Sequence, residues 1–322
     1  MSDLPKSLLP EPLRNLRHFL SIADLSRETF AALLDFCIER KQQFKAGRLQ
    51  PRFQGRVLAM IFQKPSLRTR LGFEAAMAQL GGHAVNLEDH QVGLMRREAT
   101  CDVARVISGM ADIIMARVYG HQTVVELAAT ATVPVINSLS DWAHPCQALA
   151  DLMAIREHFG RLEGLSVAYV GDANNVARSL SLACAKMGLS FRIASPVGYQ
   201  LDRGVAEQAR GLAAMTGASV LMTDDPVKAV ADADVVYTDA WTSMGQEGEE
   251  AERARVFANY QVNAELMRHA KSTAVVMHCL PAHRGCEITD EVIDGPQSII
   301  FPQAENRLHS QRALLEVLLS NR

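Results

Sequence analysis

The chain has 322 residues, 48% hydrophobic and 21% charged, with a formal net charge of −3. That length accommodates two domains of ordinary size, and the balance is that of a globular protein. The absence of a long basic block argues against a nucleic-acid partner, no apolar run approaches a membrane span, and Met1-Ser2-Asp3-Leu4-Pro5 lacks a signal-peptide core, so a cytoplasmic protein is expected.

Residues 1–54 read as an opening segment and helix. Phe30, Leu33, Leu34 and Cys37 fall at helical spacing, and Ser26 with Thr29 marks a helix start. No chemistry is visible there. The apolar run Val57–Phe62 then reads as a buried strand. Pro65 stops it, and Ser66 is placed to cap a helix carrying Phe73, Met77 and Leu80. A helix start offers free N–H groups and partial positive charge. With Ser66, Arg68, Thr69 and Arg70 around it, the stretch reads as an anion site suited to phosphate, or as a capped helix with solvated arginines.

The alternation continues. A short strand near residues 84–87 precedes a polar loop, 88–98, holding Gln91. A helix near 101–110, a strand 112–117 ending in Arg117, a helix 124–129 and a strand 133–137 follow. Pro145 suits the first turn of the next helix, with His144 at its start. Imidazole can donate to a carbonyl oxygen, and the Gln147 amide can read a carboxamide. Cys146 activated by His144 is a second reading, although sequence neighbours at a helix start do not usually meet in that geometry.

In the second half, strands are expected near 165–170, 191–194, 219–222, 235–238, 274–277 and 299–301, with helices between and a last helix near 305–319. Gly171-Asp172-Ala173-Asn174-Asn175 sits where a dinucleotide fingerprint would, but lacks its glycines, so no nicotinamide cofactor is expected. Asn175 reads either as a carboxylate contact or as a helix cap. Asp239 ends a strand and is placed to hold an ammonium group. His278-Cys279-Leu280-Pro281 ends another. Its thiol is a thiolate candidate, and His278, His283 and Cys286 admit a zinc reading. The six cysteines form no C-x-x-C pair.

Strand–helix alternation implies two doubly wound parallel-sheet α/β domains. Residues 1–150 form the first, with a C-terminal helix 305–322 expected to pack back on it. Residues 151–304 form the second. The polar clusters fall at strand carboxyl ends, where open α/β sheets bind ligands, so one active site in a cleft between the domains is expected.

Taken together, Ser66-Leu67-Arg68-Thr69-Arg70, His144-Pro145-Cys146-Gln147, Asp239 with Ser243-Met244-Gly245, and His278-Cys279-Leu280-Pro281 resemble the ornithine carbamoyltransferase family, in order and from about residue 55 to the C-terminal helix. The related aspartate enzymes are expected to carry His-Pro-Leu-Pro at the last motif and to lack the Ser-Met-Gly loop. Leu67 departs from a common threonine, and Ala173 from a common glycine.

The resemblance implies transfer of a carbamoyl group from carbamoyl phosphate to the δ-amine of L-ornithine, giving citrulline and phosphate in arginine metabolism. It implies that Ser66, Leu67, Arg68 and Thr69 hold the phosphate. Arg117 and His144 would polarise the carbonyl, with Pro145, Cys146 and Gln147 beside it and Arg307 on the carbamoyl group. Gln91 would reach a neighbouring subunit's site. Asn175, Asp239, Ser243, Met244, Cys279 and Leu280 would hold ornithine. Arg117, His144, Asp239 and Cys279 would carry the chemistry, a negative Cys279 orienting the amine beside Asp239. No metal or organic cofactor is implied, and a homotrimer or multiple of trimers is. Putrescine as acceptor, a non-catalytic binder of a phosphorylated metabolite, and a Cys279-dependent amidohydrolase are the competing readings.

Overall fold

The computed structural model describes residues 5–94, 97–242 and 247–322. The chain divides into two compact units, Met1–Ala150 with Asn306–Arg322, and Asp151–Glu305.

The first unit contains α1 (Arg27–Lys45), β1 (Val57–Phe62), α2 (Leu67–Gln79), β2 (His83–Glu88), α3 (Asp89–Val92), α4 (Thr100–Ser108), β3 (Ile113–Arg117), α5 (His121–Thr130) and β4 (Val135–Leu139). Helix α6 (Pro145–Phe159) begins in it. The sheet is parallel, in the order β2-β1-β3-β4. Strands β1 and β3 are interior and covered on both faces, which is why they read as unbroken apolar runs. Ile61, Ile114, Val124 and Leu127 share one core. Truncating Ile61 to alanine would cost about 2–5 kcal/mol. Strand β2 is the edge, and His83, Val85 and Glu88 along it are exposed. The other edge is covered by the opening segment: Phe19 N–H donates to the Val135 carbonyl and Asn137 N–H to that of Phe19, at 2.9 and 2.8 Å. Residues 1–54 thus supply an edge cover and a packing helix.

The second unit contains β5 (Ser166–Val170), α7 (Asn175–Lys186), β6 (Ser190–Ala194), α8 (Arg203–Thr216), β7 (Val220–Thr223), α9 (Pro226–Val230), β8 (Val235–Thr238), α10 (Glu250–Val256), α11 (Ala264–Met267), β9 (Val275–His278) and α12 (Asp290–Ile293). Its sheet is also parallel, in the order β7-β6-β5-β8-β9. Val170, Val236, Trp241, Phe257 and Ile293 lie in its core.

The last helix, α13 (Ile300–Ser320), corrects the expected boundary and removes the expected strand at 299–301. Two apolar residues in an unbroken pair look like strand. Pro302 lies in the first turn of the helix, where its missing N–H costs nothing. Ile300 is buried in the second unit's core, while Phe301 beside it is exposed. From Asn306 the helix packs within the first unit. Lys41 Nζ donates to Asn306 Oδ1 at 2.7 Å, and Arg312 Nη1 to Gln79 Oε1 at 2.8 Å. The polar segment 88–98, expected as loop throughout, contains the single turn α3.

Candidate active site

The first unit's polar cluster follows from register. Phe62 at the end of β1 lies opposite Arg117 at the end of β3, and Gln63 N–H donates to the Arg117 carbonyl at 2.8 Å. Parallel pairing therefore brings the Ser66 turn and Arg117 to the same sheet edge. The β3–β4 register slips between Ala116 and Arg117, an irregularity that re-aims a strand end. Ser66 is the N-cap of α2, and its Oγ accepts from Thr69 N–H at 3.3 Å. Thr69 is buried, Arg68 half-buried and Leu67 exposed at the first helical position. Arg70 is engaged with Glu74, one turn along on the exposed face, at 3.0 Å.

His144 immediately precedes α6, and its carbonyl accepts from Gln147 and Ala148 N–H. The turn before it is stapled by Ser140, whose Oγ accepts from Ala143 N–H at 3.2 Å. Arg307, from α13, is buried and joins this turn to α2. Its Nη1 donates to Gln147 Oε1 at 2.7 Å, and its Nη2 to Thr69 Oγ1 at 3.3 Å. Burial first, then the positive charges of Arg307, Arg117 and Arg68, hold His144 well below the ordinary imidazole range. The ring is a neutral hydrogen-bonding group amid cationic side chains. Cys146 faces inward, its Sγ 3.5 Å from the Asn137 carbonyl, and burial pushes its thiol up to about 12 even with Arg307 near. It is a core thiol, which removes the Cys146–His144 nucleophile reading.

The second unit's polar cluster is built in the same way. Val170, Thr238 and His278 are successive register partners across β5, β8 and β9. The residues that follow, Gly171–Asn175, Asp239 and Cys279, therefore emerge together. Asn174, not Asn175, is the N-cap of α7: its Oδ1 accepts from Val176 and Ala177 N–H at 2.9 and 3.2 Å. Its Nδ2 donates to Asp239 Oδ2 at 2.7 Å. Asn175 is half-buried in the first turn. Cys279 Sγ–H donates to the other Asp239 oxygen, Oδ1, at 2.8 Å, and Ala240 N–H donates there too at 2.8 Å. Cys279 thus lies directly beside the Asp239 carboxylate.

His278 is fully buried, with Nδ1 accepting from Leu280 N–H at 2.8 Å and Nε2 3.0 Å from Glu287 Oε1. The first contact fixes the proton on Nε2, facing the carboxylate. Leu280 takes a φ of +59°, a conformation costly for a branched residue and held here by that hydrogen bond. Behind the strand end, Gln303 Oε1 accepts from His278 N–H at 3.0 Å, and its Nε2 donates to Asp151 at 2.6 Å. Among the described residues one metal-like group stands out: ligand atoms of Asp239, His278 and Cys279 lie within 4.8 Å of one another. Both ring nitrogens of His278 and the Cys279 thiol are already engaged, and His283 and Cys286 are not in the group. The residues do not fit the zinc site that spacing admitted.

Ser243 and Met244 lie outside the described residues, as does the side chain of Gln91, whose backbone is in α3. Sequence reasoning passed over Asn174 as the Asp239 partner. It also missed Arg253, Asp172 and Gln303. Glu249 and Arg253 are visible as an i,i+4 pair, but such a pair ordinarily marks a solvated helix face.

Comparison with known proteins gives concordant matches. A family model described as aspartate/ornithine carbamoyltransferase, carbamoyl-P binding domain, matches residues 17–157. The model for the Asp/Orn binding domain of the same proteins matches residues 163–318. The ornithine carbamoyltransferase of Bacillus subtilis is 54% identical over 303 residues, covering 94% of each chain. The anabolic ornithine carbamoyltransferase of Pyrococcus furiosus is 52% identical, covering 94% of this chain and 96% of its own. The solved structure of the P. furiosus enzyme superposes with a TM-score of 0.92 over 94% of this chain and 97% of that one, at 51% identity. The Thermus thermophilus enzyme gives 0.85 at 44% identity, covering 94% and 99%.

Proposed function

Because the chain belongs to the aspartate/ornithine carbamoyltransferase family, we propose that it transfers the carbamoyl group of carbamoyl phosphate to the δ-amine of L-ornithine, releasing L-citrulline and phosphate. The observation that carries this reading is the chemical contrast of its two half-sites. One gathers Arg68, Arg117 and Arg307 around a neutral His144, which suits an anionic phosphate ester. The other presents Asp239 with Cys279, which suits a cationic amine.

Phosphate oxygens are bound by the α2 N-terminus, Ser66, Leu67 through its N–H, Arg68 and Thr69. Arg117 and neutral His144 donate to the carbamoyl oxygen, and their donation strengthens as the carbon becomes tetrahedral. Gln147, fixed by Arg307, reads the carbamoyl NH2. The δ-amine, protonated in water near the lysine value, is taken up by Asp239 and gives one proton to solvent before attack. Its nitrogen then bonds to the carbamoyl carbon, the bond to the phosphate oxygen breaks, and the departing phosphate accepts a proton. Asn174 and Ala240 N–H hold the Asp239 oxygens in place through this exchange. Asn175, Leu280, Ser243 and Met244 complete recognition of the amino-acid end.

The assembly we propose is a homotrimer with Gln91 serving a neighbouring subunit, at work in the cytoplasm. Leu67 and Leu71 on α2 and Val85 on β2 are exposed apolar side chains available for such contacts. No helix among the described residues is long and apolar enough to cross a membrane.

Citrulline formation tests the reaction, with L-ornithine, L-aspartate and putrescine supplied separately alongside carbamoyl phosphate. Turnover with ornithine alone is expected. Carbamoylation of putrescine or aspartate instead would refute the proposed acceptor, and light scattering at three chain masses would support the trimer.

A further inference from the structure

Arg253 is a buried and multiply engaged cation of the second unit, and nothing in the chemistry above uses it. It stands on α10, is 5% exposed, and makes four contacts. Its Nη1 donates to Asp172 Oδ2 at 2.7 Å and to the Trp241 carbonyl at 2.8 Å. Its Nε donates to Glu249 Oε2 at 2.9 Å, and its guanidinium lies over the Tyr199 ring, 4.9 Å from the centroid. Tyr199 in turn gives its carbonyl to Ala173 N–H at 3.0 Å.

Two of these contacts lie on opposite sides of the amine-binding carboxylate. Asp172 belongs to the β5–α7 turn, and its carbonyl accepts from Asn174 N–H at 2.8 Å. Asn174 is the side chain that holds Asp239 Oδ2. Trp241 is two residues beyond Asp239 on the exit from β8. One nitrogen, Arg253 Nη1, thus ties the turn carrying the Asn174 donor to the segment carrying its Asp239 acceptor. A planar, always-charged fork suits this bridging, and a point-charged ammonium does so less well.

We propose that Arg253 is a positioning residue for the acceptor amine: it sets the Asn174–Asp239 pair without touching substrate. The proposal rests on the reading of the second unit as the ornithine half-site. Asp172 is nearly buried, and burial raises its carboxyl while Arg253 opposes that rise and Asp239 adds to it. Without the guanidinium, Asp172 keeps an unpaired buried charge or takes a proton. Either outcome alters the turn beside Asp239.

The test compares Arg253→Gln and Arg253→Lys with the wild-type chain. For Arg253→Gln the KM for ornithine rises about tenfold or more while that for carbamoyl phosphate stays within about twofold, and Arg253→Lys recovers part of the loss. Equal rises in both KM values, or no rise in either, would overturn the proposal. Should Arg253→Gln fail to fold, Asp172→Asn weakens the same bridge isosterically. It is expected to raise the ornithine KM less, and an unchanged ornithine KM there overturns the proposal too.

Amide hydrogen exchange separates this from the functional reading. The Ala240 amide bonded to Asp239, and the Val176 and Ala177 amides capped by Asn174, exchange faster in Arg253→Gln at unchanged global protection. If the wild-type chain makes no citrulline, the functional reading fails by itself. Faster exchange at these three amides then still upholds the brace, and unchanged exchange overturns it.

Discussion

The polar clusters of the two units share a topology and differ in electrostatics. Both sit at carboxyl ends of parallel strands, and both use a helix start with an oxygen cap, Ser66 on α2 and Asn174 on α7. In the first unit Arg307, Arg117 and Arg68 act on His144, which burial first and then their field keep neutral. In the second unit carboxylates dominate. Asp172 has its countercharge, Arg253, bound within the protein, while among the described residues Asp239 is met by an amide, a thiol and a backbone N–H. A helix N-terminus is therefore an anion site only where its surroundings leave the positive end unspent. At α7 the cap oxygen takes the first N–H groups, and the cap's other end serves a carboxylate instead.

The largest effect should come from removing one of the first unit's cations. Arg117→Ala is expected to lower kcat/KM for both substrates by about 10²–10³-fold, the usual worth of one donor on a developing oxyanion. Steady-state kinetics checks this, and an effect below tenfold would mean that Arg117 does not face the reacting carbonyl.

Neutralising the other half-site should be more selective. Asp239→Asn removes a charge-assisted contact and should cost about 10–100-fold in kcat/KM for ornithine, with binding of a phosphonate analogue of carbamoyl phosphate unchanged by calorimetry. A parallel loss of analogue binding would erase the division of labour between the units.

The lowered imidazoles of His18, His121 and His144 have a pH signature. Burial lowers His144, His121 and His18, the last to about 4. Each has a folded-state value beneath its unfolded one, so below about pH 6.5 the unfolded chain binds more protons. Their contribution is fully present above about 6.5 and is lost as pH falls towards the folded values. The His18 ring accepts from Val135 N–H at 3.1 Å, and His18→Gln should flatten the fall in urea midpoint between pH 7 and pH 4.5 relative to wild type. An unchanged slope would exclude His18 as a source.

The smallest effect is expected at the cysteine that the fold buries. Cys146→Ala should leave kcat within about threefold while lowering stability by about 1 kcal/mol, whereas the same change at Cys279 removes a donor from Asp239. Equal losses of kcat in the two variants would contradict the separation drawn between them.

Local signals in the chain were sufficient for a good deal. The apolar runs at β1 and β5, the Ser66 cap and Pro145 at a helix start are set by contacts within a few residues, so periodicity and turn chemistry disclose them. The family motifs lie at the same strand ends for that reason. The failures are equally local in cause: residues 299–301 look like strand because Ile299 and Ile300 are apolar neighbours, and only packing of Ile300 into the second unit's core makes them a helix start.

Residue order alone determined two parallel-sheet α/β units and which strand ends carry polar chemistry, because those follow from short-range preference and parallel connection. Only the tertiary structure decided which distant charges meet. Arg68 and Arg70 are two residues apart, yet Arg68 contributes to the field on the distant His144 while Arg70 pairs locally with Glu74. Arg307 meets Gln147 across 160 positions, and Arg253 meets Asp172 across 81. A charge's function depends on its distance and burial relative to every other charge, and those are set by the packing of distant segments.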